Sequence, residues 1–244
     1  MPELSGSRAE AAKHYDTLFT YATRIGQPDC AVPLAGRTWI ATRPVVDTRF
    51  WRVTSGSPEL PLTVLMHWAA GDDLTFDGRT YGHKNREFMK FMDLPVHTTR
   101  TIRLAIGGGG APKARLADLG WQLVSPLGQT QTMESYHAFI EGGSADLGVA
   151  KHAYVKSRSG WFSDRSTCFL ASGRPVLHQD TGCGDWLPVG EGVLLFSDME
   201  SLLDALRSLD ADYATHARAA RAIATDHFEA SVVLENMLKA AGLR

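Results

Sequence analysis

The sequence predicts an α/β protein with a doubly wound parallel sheet, and three observations carry that prediction. Short, largely apolar runs at Leu60 to Trp68, Thr101 to Ile106, Trp121 to Ser125, Asp146 to Ala150, Pro175 to Gln179 and Val193 to Phe196 are separated by other elements. The separating stretches include segments whose apolar residues recur at three- and four-residue spacing, the mark of helices with one buried face. Most of the apolar runs lack polar alternation, as expected of parallel strands covered on both faces.

Taken in order, Ala9 to Ile25 places Ala12, Tyr15, Phe19 and Ala22 near helical spacing and predicts a helix, stopped by Gly26-Gln27-Pro28-Asp29. Cys30 to Pro44, punctuated by Pro and Gly, reads as a surface connection. The chain thus divides into a lead-in of helix and linker, residues 1–44, and an α/β domain, residues 45–244. Within the domain, Ala69 to Gly82 reads as a polar loop, and His83 to Met92 as a helix burying Phe88, Phe91 and Met92. Gly107 to Gly110 follow the second strand. They lack the spacing of a dinucleotide fingerprint, because Ala111-Pro112-Lys113 intervene, and they read as a flexible turn. A short helix at Pro112 to Asp118 and an amphipathic one at Thr132 to Glu141 flank the third strand and the loop Pro126-Leu127-Gly128-Gln129. Helical stretches at Met199 to Leu206, Tyr213 to Ala224 and Ala230 to Leu243 close the chain.

Composition narrows the function. With 44% hydrophobic and 21% charged residues and a formal net charge of -2, the chain has no long-range pull on nucleic acid, so any anion site must be local. It lacks the run of about 18 apolar residues that a membrane span requires, and MPELSGSRAE has no signal-peptide core. Cys30, Cys168 and Cys183 are widely spaced without a CxxC pair, and the histidines show no ligand spacing, so neither a disulfide framework nor a metal is expected. Free thiols lead to the expectation of a cytoplasmic protein.

The stretch Ala150 to Asp180 concentrates the chemistry. It reads as a strand end, a Gly-containing polar turn, a helix opening with Ser163-Asp164-Arg165-Ser166, a stop at Ala171 to Gly173 and a new strand. A helix start gathers unpaired N–H groups and the positive end of the helix dipole, and an Arg adds paired donors that match phosphate oxygens. That combination suits a diphosphate; the plainer reading is a capped helix with Arg165 in solvent. Lys84 opposes the dipole of its own helix, which invites an anion unless the amine is merely solvated. Trp161 either shapes the turn with Gly160 or anchors the core. Asp180, Thr181, Gly182 and Asp185 form a loop after the next strand, or a plain turn. His67 is an acid–base candidate or a packed histidine, and His178, inside a strand, reads as packed. Ligands of doubly wound sheets lie outside the carboxyl ends of the strands. Lys84, the Pro126 loop, the Lys151 to Ser166 turn and the Asp180 to Asp185 loop all fall there on this reading.

The run Ser159-Gly160-Trp161-Phe162-Ser163-Asp164-Arg165-Ser166, with Leu170-Ala171-Ser172-Gly173-Arg174-Pro175-Val176 and Gln179-Asp180-Thr181-Gly182, resembles the donor-binding signature of GT-B-fold glycosyltransferases. It is most similar to bacterial members carrying a near-identical SGWFSDRS run. The likeness extends from about His14 to the C-terminus and is specific at SGWFSDRS and QDTG. It implies a single Rossmann-like half that binds a nucleoside-diphosphate sugar as donor substrate, with no other cofactor. Gly160, Trp161, Ser163, Asp164, Arg165 and Ser166 would hold the diphosphate, Pro126 and Leu127 would line the nucleobase slot, and Asp180, Thr181 and Gly182 would meet the sugar. Arg165, Lys84 and Asp180 are the expected catalytic group, the cations opposing the charge that grows on the leaving diphosphate.

A second Rossmann-like domain, which binds the acceptor in GT-B enzymes, is not expected within these 244 residues. Two readings follow. The chain is a glycosyltransferase of hexosyl-transferring type whose acceptor site comes from a partner chain or a second copy, or it is a non-catalytic nucleotide-sugar-binding accessory or sensor. An NAD-type oxidoreductase is a third reading, weakened by the missing glycine fingerprint.

Overall fold

Strands that are apolar on both faces must be covered on both faces, and the chain meets that demand with one six-stranded parallel sheet between helical layers. The computed structural model describes residue 12 and residues 14–243. A two-residue parallel pair, β1 (Phe19–Thr20) and β2 (Ile40–Ala41), comes first. The first strand of the main sheet, β3 (Leu62–His67), is followed by a hairpin of β4 (Leu74–Phe76) and β5 (Arg79–Tyr81), and by helix α1 (Lys84–Phe88). Then come β6 (Ile102–Gly107), α2 (Lys113–Asp118), β7 (Gln122–Val124), α3 (Pro126–Thr130), α4 (Met133–Glu141) and β8 (Ala145–Gly148). The last part comprises α5 (His152–Lys156), α6 (Asp164–Ala171), β9 (Val176–Gln179), β10 (Val193–Phe196), α7 (Met199–Ala211), α8 (Tyr213–Ile223) and α9 (Ala230–Ala240).

The strands lie in the order β10-β9-β8-β3-β6-β7. This is the doubly wound order of dinucleotide-binding folds, with β3 and β8 at the point where the winding reverses. Pairing is uneven there. β3 pairs with β6 from Leu62↔Ile102 to His67↔Gly107, but with β8 only at Leu62↔Ala145 and Thr63↔Asp146. Beyond those two residues the strands part, and a crevice opens toward their carboxyl ends.

The two-residue period of β3 divides the core. Leu62, Val64 and Met66 join Phe88, Phe91, Leu104, Leu202 and Leu209 on one side. Leu65 packs against the other cluster, which holds Phe139, Ile140, Phe169, Leu170 and Ile223. Arg174 is buried between elements, at 1% exposure. Its guanidinium donates to the carbonyls of Gly143 and Thr54 at 2.8 Å and of Glu141 at 3.0 Å, tying the end of α4 and the segment at Thr54 to the start of β9.

Three elements outside the Pro126 loop differ from the sequence-based expectation. Residues 9–11 and 13 of the expected helix Ala9 to Ile25 lie outside the described residues, and residues 14–25 are not helical: they form turns and β1. The helical spacing was overridden by pairing with β2 and by backbone bonds such as Arg24 N–H to Ser159 O at 3.1 Å. The expected loop Ala69 to Gly82 contains the β4–β5 hairpin. Asp77 and Gly78 both adopt positive φ, 48° and 66°, as the tightest two-residue hairpin turn requires. The Asp-Gly pair was the available signal. The polar turn after β8 likewise contains a helical turn, α5.

Candidate functional site

The crevice between β3 and β8 is filled from one side by Arg165, the second residue of α6. At the level where the strands have parted, Nη1 donates to Leu65 O on β3 at 2.6 Å, while Nε and Nη2 donate to the two oxygens of Asp146 on β8, each at 3.1 Å. Asp146 is fully buried and also accepts from Ser166 Oγ at 2.7 Å. Burial opposes the Arg165 charge, but Asp146 outweighs it and the pKa stands above its ordinary value. The guanidinium therefore does the work of missing strand-to-strand hydrogen bonds. Arg165 is thus not in solvent, contrary to the plainer sequence reading, and both it and Ser166, expected to hold a diphosphate, are bonded to Asp146. Ser163 is buried and makes no side-chain cap, and Asp164 Oδ1 takes the Arg165 N–H at 2.9 Å, so the protein's own carboxylate meets the first turn of α6.

Lys84 presents the opposite situation. It opens α1 at the rim of the same crevice, half-buried, with no hydrogen bond or ion pair among the described residues. Its amine lies 6.0 Å from the Trp161 ring. Burial, then the charge of Arg165, push its pKa down from 10.5 to about 7, with Lys151 adding to the effect against the pull of Asp146 and Asp164. His178 completes the floor. It is fully buried and stacked on Phe162 at 4.7 Å. Its Nε2 has no partner among the described residues. Burial, then Arg165 and Lys84, lower its pKa to about 3, so the ring stays neutral. Gly148 leaves room here: a Cβ on it would meet His178 Cδ2 at 3.4 Å and Arg165 Nη2 at 3.5 Å.

Sequence reasoning missed what places Lys84. Glu87, one turn on in α1, is 1% exposed, and its Oε2 accepts from Gln179 Nε2 at 2.5 Å and Lys90 Nζ at 2.8 Å. Gln179 Oε1 in turn accepts the Ala150 N–H at 3.1 Å. One buried carboxylate thus links the helix bearing Lys84 to the ends of β9 and β8. A Glu on the apolar face of a short helix was the only sequence signal.

The turn and loop that flank the crevice are engaged mainly with the lead-in. Gly160 has φ +74°, and a Cβ there would overlap Thr23 Oγ1 and lie 3.1 Å from Arg24 N. Gly182, φ +86°, is faced in the same way by Arg24. Arg24 ion-pairs with Asp29 at 2.6 Å and Asp185 at 2.7 Å. Thr181 is buried, its hydroxyl bonded to Trp161 O at 2.5 Å. Both glycines are thus required by protein packing. Asp180 uses Oδ1 to accept the Gly182 N–H at 2.7 Å, leaving its other oxygen unengaged among the described contacts. Trp161 is half-buried rather than a core anchor, with Tyr154 4.7 Å from it and its indole N–H without a partner among the described residues.

Pro126 and Leu127 begin α3 at the end of β7, so the expected loop is a helical turn capped by Ser125; Leu127 is 66% exposed. His67, at the end of β3, is exposed, and its ring lies against Gly108, where a Cβ would sit 2.9 Å from Nε2. The glycine turn there holds a histidine. Among the described residues, no three His, Cys, Asp or Glu side chains gather as metal ligands, and no helix is long and apolar enough to cross a membrane.

No protein-family model matches this sequence. Comparison with curated proteins finds no match either. Solved structures do match. HepE of Anabaena, in a crystal structure with UDP and glucose, gives a TM-score of 0.58 at 13% identity over 85% of this chain and 58% of that one. A glycosyltransferase of Rickettsia africae gives 0.56 at 9% identity over 85% and 59%. AviGT4, a glycosyltransferase involved in avilamycin A biosynthesis, gives 0.53 at 12% identity over 85% and 58%. The chain spans 58–59% of the length of these structures. At such identities the likeness carries the fold: the six-stranded parallel unit matches a single Rossmann-like half of a GT-B glycosyltransferase.

Proposed function

We propose that the β3–β8 crevice seats the diphosphate of a nucleoside-diphosphate sugar and that the domain is the donor half of a glycosyltransferase. One observation carries the reading. Lys84 stands at the switch point of the sheet with no ion pair among the described residues, its charge disfavoured first by burial and then by Arg165 and Lys151. A doubly charged anion between them relieves that repulsion. The fold likeness to HepE, which has been solved with UDP-glucose, supports a nucleotide-sugar as that anion and a hexose as the transferred group. In this scheme Lys84 and Lys151 contact the diphosphate, and Arg165, locked by Asp146, acts as a fixed positive charge behind them. Charge growing on the leaving diphosphate strengthens these contacts in the transition state, which is how they lower the barrier. The free oxygen of Asp180 accepts from a sugar hydroxyl, and α3 at Pro126 and Leu127 borders the nucleobase. A partner chain or a second copy supplies the rest of the acceptor side.

A thermal-shift panel of UDP, GDP, TDP, ADP and NAD tests this. A nucleoside diphosphate at about 100 times its dissociation constant adds roughly 2.7 kcal/mol of stability, and Lys84→Met removes the shift. Absence of a shift with every nucleoside diphosphate defeats the reading. The engagement of Arg165 by Asp146 favours one alternative, a non-catalytic nucleotide-sugar sensor or accessory chain. It predicts the same shifts with no release of UDP from UDP-sugars, even with a partner present.

A further inference from the structure

A cavity is lined in part by Trp161, the ring that lies 6.0 Å from the Lys84 amine. It holds about 360 Å³ and is walled by the aromatic side chains of Phe19, Tyr21 and Trp39 from the lead-in and Tyr154 and Trp161 from the domain. That volume falls within the range of small-molecule pockets. Its walls are pre-assembled. Ala31 N–H bonds to Ser157 O at 2.9 Å, Arg24 N–H to Ser159 O at 3.1 Å, and Thr23 Oγ1 to Gly160 O at 2.9 Å, so the lead-in is stitched to the turn that forms the far side.

The polar groups inside are few and neutral. Thr20, Thr42, Ser157 and Ser159 line it, and among the described residues no charged residue does; the hydroxyl of Thr20 accepts the Ala22 N–H, and those of Ser157 and Ser159 donate to Tyr154 O. Thr42 is 9% exposed, and its hydroxyl has no hydrogen-bond partner among the described residues. A hydroxyl that lines a cavity without a protein partner can donate to and accept from a ligand or water there. Trp161 also lines the cavity, and its indole N–H has no partner among the described residues. Flat aromatic faces match the C–H faces of a pyranose ring, and neutral hydroxyl and indole groups match its hydroxyls. An anion finds no cation here, and a simple alkyl chain leaves Thr42 unbonded.

We propose that this cavity binds a pyranose ring of a neutral carbohydrate, and that the ring belongs to the acceptor. The second clause alone rests on the donor reading above: a sugar held against Trp161 adjoins a donor held beside Lys84, whose amine lies 6.0 Å from that ring. The lead-in is then part of the acceptor site, contributed by this chain itself.

Saturation-transfer NMR on the full chain with methyl glucoside, N-acetylglucosamine and maltose, read alongside tryptophan fluorescence, is the test. At least one of them is expected to bind, and Thr42→Val, which keeps the shape and removes the hydroxyl, weakens it about three- to tenfold, the worth of one neutral hydrogen bond. Tyr21→Ala, at an exposed position, weakens it without loss of fold as followed by circular dichroism. UDP-glucose leaves saccharide binding intact or tightens it. Three results overturn the proposal: no saccharide binding at millimolar concentration; displacement of the saccharide by UDP-glucose but not by UDP, which makes the cavity the donor's own sugar subsite; or binding of decanol with indifference to Thr42→Val, which makes it a lipid pocket. If saccharide binds while no nucleoside diphosphate does, the carbohydrate site stands and the donor reading falls.

Discussion

Two neighbouring regions carry residues of the same chemical kind in opposite conditions. In the turn at Ser157 to Trp161 and the loop at Thr181 to Asp185, the small and charged residues are occupied by the protein: Gly160 by Thr23, Gly182 and Asp185 by Arg24, Thr181 by the Trp161 carbonyl. At the mouth of the β3–β8 crevice, Lys84 and the Nε2 of His178 have no such partners among the described residues. Arg165 stands between the two conditions, within the crevice yet paired to Asp146. A residue type suited to anions thus marks a site only where the fold leaves it unpaired.

The largest effect that tests this comparison comes from the Arg165–Asp146 pair. Asp146→Ala leaves a buried guanidinium uncompensated and is expected to cost about 3–5 kcal/mol of stability by urea unfolding. Arg165→Ala is expected to do the same to the carboxylate, so its effect on activity passes through folding first. A small loss for both places Arg165 with the free residues and restores it as a ligand clamp.

Lys84→Met is next: the roughly 2.7 kcal/mol gained from saturating nucleoside diphosphate disappears, while the unliganded fold is retained in thermal melts. Gly160→Ala follows, with strain of about 1–3 kcal/mol from positive φ plus the overlap with Thr23. Gly26→Ala has a similar φ, 85°, with nothing within 4 Å, so the excess loss at Gly160 over Gly26 measures the lead-in contact alone. Equal losses show that the lead-in gives way without cost.

The smallest effect is pH dependence. Lys84 in the folded protein has its pKa lowered to about 7. The unfolded chain therefore binds more protons between pH 7 and its ordinary value, and stability from this group rises with pH across that window. Binding runs the other way. A diphosphate favours the charged amine, so affinity by calorimetry increases as pH falls through about 7, and Lys84→Met flattens the trend.

Much of the crevice was legible because its parts are local. Lys84 follows a strand and opens a helix, and Arg165 follows a Gly-Trp turn; the doubly wound order then places both at one sheet edge. Asp146 gives a fainter signal inside an apolar strand, although a single carboxylate there demands a buried partner. Arg24 and Glu87 offered less, because their partners lie in distant segments: Asp185 is far along the chain from Arg24, and Gln179 from Glu87. The β4–β5 hairpin is signalled by Asp77-Gly78 alone, because the flanking strands are three residues long and partly polar.

Local patterns in the sequence determined the strands, most helices and the alternation that makes the sheet doubly wound, because backbone geometry and apolar spacing act over a few residues. The tertiary structure alone decided which anion-binding side chains remain available. Availability depends on the partners that folding brings from elsewhere, such as Asp146 for Arg165 and the lead-in for Gly160 and Gly182, and on the absence of one for Lys84 among the described residues.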